Sequence, residues 1–310
     1  MNWREEAWRL KREEGLSWTE LYDEIRTQFP DLKNKPDQTI RTAVRNIDKK
    51  KKKIDQRQRP LPPPEDKEYD FTQSRTYKFG VVSDTHLNSR EQQLTHLNRM
   101  YDIFAAEGVS DVYHAGDITA GEGMYSGQIY EIFNVGFDNQ VDYIIDKYPS
   151  RPGITTHFIT GNHDLSYYKS RGVDPGEKIS LKRPDLNYLG KWAAWVKIGE
   201  NTRIYLLHPD SGQAYAVSYK PQKIAAGFIG GDKPNIMLLG HWHQSEYLFE
   251  RNIHILQCGC FEGQTPFLKR KGIMPKIGGW IVEVHIGKDG TVERFKSEFV
   301  PFFIARKNDY

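Results

Sequence analysis

Five times between Lys78 and His243 a short apolar run gives way, within a few residues, to side chains that can bind a cation. The run ending at Val82 leads to Asp84 and His86, and the one ending at His114 leads to Asp117. The next leads to Asn162, His163 and Asp164, then LLHPD gives His208 and LLGHWH gives His241 and His243. Short apolar runs of this kind predict strands at Lys78–Val82, Val112–His114, Thr156–Ile159, Arg203–Leu207, Ile236–Leu239 and Ile253–Leu256. Amphipathic stretches at Glu91–Glu107 and Ile129–Tyr148 predict helices between the earlier ones, while Trp280–His285 and Val292–Phe295 make the C-terminal third richer in strand. Such alternation gives a layered α/β domain, and loops leaving the strand ends can gather polar residues at one edge of a sheet. A lone histidine at a strand end is usually hydrogen-bonded structure. Five such groups in succession are hard to ascribe to chance.

Carboxylate, imidazole and amide ligands together suit borderline divalent ions such as Mn²⁺, Fe²⁺ or Zn²⁺, whereas a Mg²⁺ site is expected to use oxygen alone. Two such ions about 3.5–4 Å apart can neutralise a phosphodiester and hold hydroxide in line with phosphorus. Because the metals lower the pKa of water, no separate protein base is required. The chain accordingly shows no evident serine or cysteine nucleophile. Cys258 and Cys260, one residue apart, are poorly spaced for a mutual disulfide and too few for a structural zinc site, so they read as free structural thiols in a reducing compartment.

In order and wording, Asp84-x-His86, Gly116-Asp117, Gly161-Asn162-His163-Asp164, His208 and Gly240-His241-x-His243 resemble the calcineurin-like metallophosphoesterase superfamily. The resemblance is firm from Tyr77 to His243 and weaker to about Phe303. It implies a four-layer αββα sandwich over residues 76–305 and two divalent ions, with Asp84, His86 and His243 on one and Asn162, His208 and His241 on the other. Asp117 would bridge them, and His163, oriented by Asp164, would protonate the leaving oxygen or stabilise the phosphoryl charge. The wording GDITAG and GNHD departs from the protein phosphatases of that superfamily, and His163 stands where its smallest bacterial phosphodiesterases commonly carry cysteine. The pattern is closer to the DNA-repair exonuclease and general phosphodiesterase branches.

Residues 1–53 predict a small all-α domain, with helices at Trp3–Glu14, Ser17–Phe29 and Asp37–Lys49. Ser17 and Glu20 are spaced as a capping box, Leu21, Ile25 and Phe29 recur at helical spacing, and Ile40, Val44 and Ile47 form the face of a third helix opened by Asp37. GLSWTELYDEI followed by QTIRTAVRNI resembles small helix-turn-helix domains, with a longer turn. Arg41, Arg45, Lys49, Lys50, Lys51, Lys52 and Lys53 would then face nucleic-acid phosphates. The same residues also fit a solvated appendage or an oligomerisation element. Residues 54–75 are basic and proline-rich, a linker composition.

A second basic stretch, Phe267, Lys269, Arg270 and Lys271, follows the last motif and would form a substrate wall for a backbone phosphate and a stacked base, or else a solubilised surface turn. Tyr125, Tyr167 and Tyr168 are further candidates for that wall, His114 reads as a packing or supporting residue, and Trp242 as packing beneath its loop. Net charge is only +3, so affinity for nucleic acid depends on how the charge is distributed. The expectation is a metal-dependent phosphodiesterase, a nuclease acting on DNA. The alternatives are a small-molecule phosphodiesterase or phosphomonoesterase, and a DNA-binding protein with an idle phosphoesterase domain. MNWREEAWRLKREEG lacks the apolar core of a signal peptide and no run is long enough to span a membrane, so the expected location is cytoplasmic. Joining a helix-turn-helix-like segment to a phosphoesterase hints at a phage or mobile-element gene, whose product would work in the host cytoplasm.

Overall fold

The computed structural model describes residues 2–58 and 76–310, without the side chains of 49–58. The expected phosphate contacts of Lys49–Lys53, and the linker over 59–75, therefore lie outside the described residues. The chain divides into two compact units, Met1–Pro62 and Pro63–Tyr310.

In the first unit, α1 (Trp3–Arg12), α2 (Trp18–Gln28) and α3 (Asp37–Gln58) surround Ala7, Leu10, Leu21, Ile25, Ile40 and Val44, all buried. The capping box is present: the Ser17 hydroxyl accepts from the Glu20 N–H at 3.2 Å, and the Glu20 carboxylate accepts from the Ser17 N–H at 2.8 Å. Asp37 lies in the first turn of α3, where its carboxylate pairs with Arg26. Arg41 departs from the expected exposed phosphate contact. Its guanidinium lies 5.2 Å from the Trp18 ring and donates to the Tyr22 hydroxyl, so the half-buried side chain is a packing partner of α2. Arg45 is exposed. The third helix also runs past Lys49 to Gln58, into the expected linker, because straight-chain residues that favour helix continue until shortly before Pro60.

The second unit contains β1 (Thr76–Val82), α4 (Leu94–Ala106), β2 (Asp111–His114), α5 (Phe137–Lys147), β3 (Thr155–Thr160), α6 (Leu165–Arg171) and α7 (Pro175–Lys182). It continues through β4 (Leu186–Lys191), β5 (Ala193–Lys197), β6 (Arg203–Leu207), α8 (Tyr219–Ala226), β7 (Ile236–Leu239), β8 (Ser245–Glu250) and β9 (Ile253–Cys258). Then come α9 (Pro266–Arg270), β10 (Gly278–Ile286) and β11 (Val292–Pro301). One sheet has the order β11-β10-β1-β2-β3-β4 and the other β5-β6-β7-β9-β8. In the first, β1 to β4 run parallel; in the second, β6, β7 and β9 do.

Strand alternation builds the layers. In β7, Ile236 and Leu238 enter the core between the sheets while Met237 and Leu239 face the opposite way, towards Ala225 and Ile224 of α8. In β1, Phe79 and Val81 point to the same inter-sheet core as Leu206 and Leu256. The outer face of the first sheet is covered by Leu97, Met100 and Phe104 of α4, Val141 and Ile144 of α5, and Ile179 of α7. The result is an αββα sandwich. No helix among the described residues is long and apolar enough to cross a membrane.

The expected helix at Ile129–Tyr148 begins only at Phe137. Gly127 and Gly136, at φ 90° and 100°, break the backbone on either side of a single 3₁₀ turn at Gln128–Tyr130.

Candidate metal centre

All five motifs leave the C-terminal ends of parallel strands, β1, β2, β3, β6 and β7. The loops turn sharply there. Asp84, His86, Asp117, His241 and His243 have φ of 49°, 41°, 56°, 81° and 53°, a left-handed region that residues other than glycine seldom occupy. Strain of this kind, repeated at five positions, persists only where the surrounding structure imposes it. Ser83 contributes by donating to the Asp84 carboxylate at 2.6 Å, and the His241 N–H donates to the same carboxylate at 2.9 Å.

Asp84, His86 and His243 form one group and Asp117, His208 and His241 another, each with its ligand atoms within 4.8 Å of one another. In the first, Asp84 Oδ1 lies 3.4 Å from His243 Nε2 and 3.7 Å from His86 Nε2. In the second, His208 Nε2 lies 3.1 Å from Asp117 Oδ2 and 3.0 Å from Asn162 Oδ1. Asp117 Oδ2 also lies 3.8 Å from His86 Nε2, so one carboxylate faces both groups.

The donor chemistry fits cations. His86 and His243 present Nε2 to each other at 3.1 Å, while Nδ1 of each is buried without a hydrogen-bond partner. With the ring protons on Nδ1, the two Nε2 lone pairs would converge on a positive ion. His208 is already oriented for ligation: its Nδ1–H donates to the Ala115 carbonyl at 2.7 Å and leaves Nε2 facing Asp117.

Electrostatics follow the same division. Burial works against ionising Asp84, yet the imidazoles of His243 and His86 hold its carboxyl well below the usual range. Burial likewise opposes charge on His208, but Asp117 overrides it and raises the imidazole to about 9. His241 is pushed down to about 4 by burial and then by His208. His114, buried inside β2, accepts from the Gly116 N–H at 3.2 Å through Nδ1 and reaches Thr85 Oγ1 at 3.2 Å through Nε2, tying two ligand loops together. Burial lowers it to about 3, which keeps it neutral in that role.

His163 stands at the edge of both groups, with its ring 4.4 Å from that of His86. Its Nδ1–H donates to the Ala120 carbonyl at 2.7 Å, and its backbone N–H donates to Asp117 Oδ1 at 2.8 Å. Asp164, expected to orient His163, meets backbone and not the ring. Its carboxylate accepts from the N–H groups of Thr119, Gly161 and Ile118 at 2.8, 2.8 and 3.2 Å. A carboxylate on the N–H groups of two separate loops braces backbone, so it acts on His163 through the Gly161 end of its own loop and through the Thr119–Ala120 segment whose carbonyl receives the ring.

Gly161 illustrates how close the loops approach. A Cβ there would lie 2.3 Å from Asp117 Oδ1 and 2.7 Å from His208 Nε2. Gly161→Ala is therefore expected to displace both side chains and to lower Mn²⁺ retained after dialysis, measured by elemental analysis, while the far-UV circular dichroism spectrum stays that of the parent. Wild-type metal retention would contradict this account of the crowding.

A cavity of about 750 Å³ opens from the cluster. Its lining includes His86, Asp117, Asn162, His163, His241 and His243 on one side, and Tyr125, Phe267 and Lys271 on the other. Tyr125 and Phe267 stack with ring centres 4.2 Å apart. Of the expected substrate wall, Lys269 and Arg270 are exposed and do not line this cavity, because α9 turns Phe267, Leu268 and Lys271 towards it instead. Tyr167 is buried and Tyr168 exposed, and neither lines it. Both cysteines are buried free thiols, and Trp242 is buried with its indole N–H donating to the Ser211 carbonyl at 2.7 Å. Glu262, 6% exposed, and Gln128 also line the cavity and were not singled out in the sequence, since neither has a ligand spacing.

The chain is 23% identical over 242 residues to the DNA polymerase II small subunit of Halobacterium salinarum, covering 66% of this chain and 48% of that one. With the protein of the same name from Methanocaldococcus jannaschii it is 26% identical over 265 residues, covering 69% and 43%. It thus spans about half the length of the curated relatives it matches. Among solved structures, a 5′-nucleotidase precursor from Thermus thermophilus aligns with a TM-score of 0.42 and 14% identity, over 73% of this chain and 54% of that one. A structure described as a novel archaeal phosphodiesterase aligns with a TM-score of 0.40 and 13% identity, over 72% and 99%. Residues 77–271, which carry all five motifs, match the calcineurin-like phosphoesterase superfamily domain. The chain belongs to that superfamily.

Proposed function

We propose that this chain hydrolyses phosphodiester bonds of nucleic acid, with DNA the first substrate to test. The observation that carries the reading is the cavity. Its volume of about 750 Å³ is that of a pocket for a nucleotide-sized ligand rather than a bare phosphate, and it joins the ligand cluster to a stacked Tyr125–Phe267 pair and to Lys271. Aromatic faces beside a cationic side chain suit a base and a backbone phosphate. The relatives named as DNA polymerase subunits favour the same substrate class.

Asp84, His86 and His243 would hold one divalent ion and Asn162, His208 and His241 the other, with Asp117 shared, Mn²⁺, Fe²⁺ and Zn²⁺ all suiting these donors. Bound there, the pair supplies Lewis-acid stabilisation of phosphoryl charge. The chain's own part is orientation and proton transfer. With Nδ1–H engaged by the Ala120 carbonyl, His163 would hand a proton to the departing oxygen from Nε2 in its doubly protonated form, which burial disfavours and the Asp117 carboxylate favours. Asp164 keeps the Asp117 and His163 loops in register through their backbone N–H groups.

The test is Mn²⁺-dependent hydrolysis of bis-p-nitrophenyl phosphate beside single-stranded and double-stranded DNA, with His163→Ala as control. Cleavage of DNA that the control loses is the expected result. Diester hydrolysis with intact DNA would transfer the assignment to a small-molecule phosphodiesterase, and turnover of neither would favour an idle domain.

A further inference from the structure

We propose that Glu262 is a positioning residue of the metal cluster, its carboxylate receiving the Nδ1–H of His243 and so fixing which ring nitrogen faces the cation. The inference rests on the metal centre and not on the choice of nucleic acid as substrate.

His243 turns Nε2 towards Asp84 Oδ1, at 3.4 Å, and towards His86 Nε2, at 3.1 Å. A neutral imidazole with its lone pair on Nε2 carries its proton on Nδ1. That Nδ1 is buried and has no hydrogen-bond partner by geometry, a costly state for an N–H group. The buried Cys260 thiol also lies beside His243, but its proton is directed at the Glu262 and Lys276 carbonyls at 3.4 and 3.5 Å. Glu262 Oε2 lies 4.0 Å from His243 Nδ1, about 1 Å beyond hydrogen-bond length. A change of side-chain torsion would close such a gap. The backbones need not move: Glu262 is held by a β-bridge to Gln92 and by the Cys260 thiol on its carbonyl, and the His243 carbonyl accepts from the Lys276 N–H at 2.8 Å.

The location of the acid supports the same conclusion. Glu262 is 6% exposed and lines the cavity in which an anionic ester would bind. A carboxylate there repels substrate unless its charge is engaged by a cationic partner. An imidazole that shares a divalent ion is such a partner, and carboxylate–histidine–metal relays of this type sharpen both ring orientation and ligand basicity.

The experiment titrates MnCl₂ into chelator-treated full-length protein by isothermal calorimetry, for the wild type, Glu262→Ala and Glu262→Gln. Glu262→Ala is expected to weaken one Mn²⁺ binding step by about 10–100-fold, and Glu262→Gln, whose amide oxygen still accepts a hydrogen bond, by less. Melting of the metal-free proteins should coincide. Wild-type Mn²⁺ affinity in both variants would overturn the proposal, as would an equal drop in metal-free melting temperature, which would make Glu262 a folding residue. Because the readout is metal binding, intact DNA in the cleavage assay would overturn the substrate reading while leaving this result standing.

Discussion

Asp117→Ala is expected to lose metal and hydrolysis together. The carboxylate touches every part of the cluster: Oδ2 lies 3.1 Å from His208 Nε2 and 3.8 Å from His86 Nε2, while Oδ1 accepts the His163 N–H at 2.8 Å. Its removal takes away the group shared by the two ligand sets and also loosens the backbone of His163. The fall in Mn²⁺ affinity should therefore exceed the about 10–100-fold that loss of an outer partner costs a metal site. Alanine also tolerates φ 56° less well than aspartate, so part of the effect would be loop strain. Asp117→Asn separates the two, since asparagine accepts the left-handed backbone and can keep the His163 N–H bond while losing the charge. Metal content by elemental analysis after dialysis, beside hydrolysis of bis-p-nitrophenyl phosphate, checks the expectation. Wild-type Mn²⁺ content in Asp117→Ala would remove Asp117 from the shared position.

The candidate ligand loops were legible because each follows an apolar run that forms a strand, in the clearest case Ile236–Leu239, buried on both faces between the inter-sheet core and α8. Parallel strands place their C-terminal ends together, and that register carries Asp84, Asp117, Asn162, His208 and His241 to one edge. What local pattern does not contain is contact between distant segments. Tyr125 meets Phe267, and Gln92 pairs with Glu262, across much of the chain, so the cavity wall and its buried acid have no local signature. The same limit explains Arg41: helical spacing put it on an exposed face, but Trp18 and Tyr22 from the preceding helix reach over it. It explains Asp164 as well, since adjacency to His163 in sequence says nothing of the three backbone N–H groups its carboxylate meets. β4 escaped notice because it is mostly half-buried and carries Gly190 within it, and β5 because its buried side chains are only Ala194 and Val196 in a run of five.

His163→Ala is expected to show the complementary result, a large loss of turnover with the metals retained. The side chain is anchored through Nδ1 to the Ala120 carbonyl at 2.7 Å, and in the wider set of possible ligands it groups with His86 and Asp117. Those two already have their own groups, with Asp84 and His243 in one and His208 and His241 in the other. Truncation of His163 thus leaves each ligand set complete. A positioned proton donor contributes about 10²–10⁴-fold, and the fall in kcat should lie in that range. The loss should be greater for bis-p-nitrophenyl phosphate analogues with more basic leaving groups, because a poor leaving oxygen needs its proton more. Elemental analysis of the dialysed variant should return wild-type Mn²⁺, in contrast to Asp117→Ala. Equal metal loss in the two variants would make His163 a ligand, and a leaving-group-independent fall in kcat would assign it to charge stabilisation instead of proton transfer.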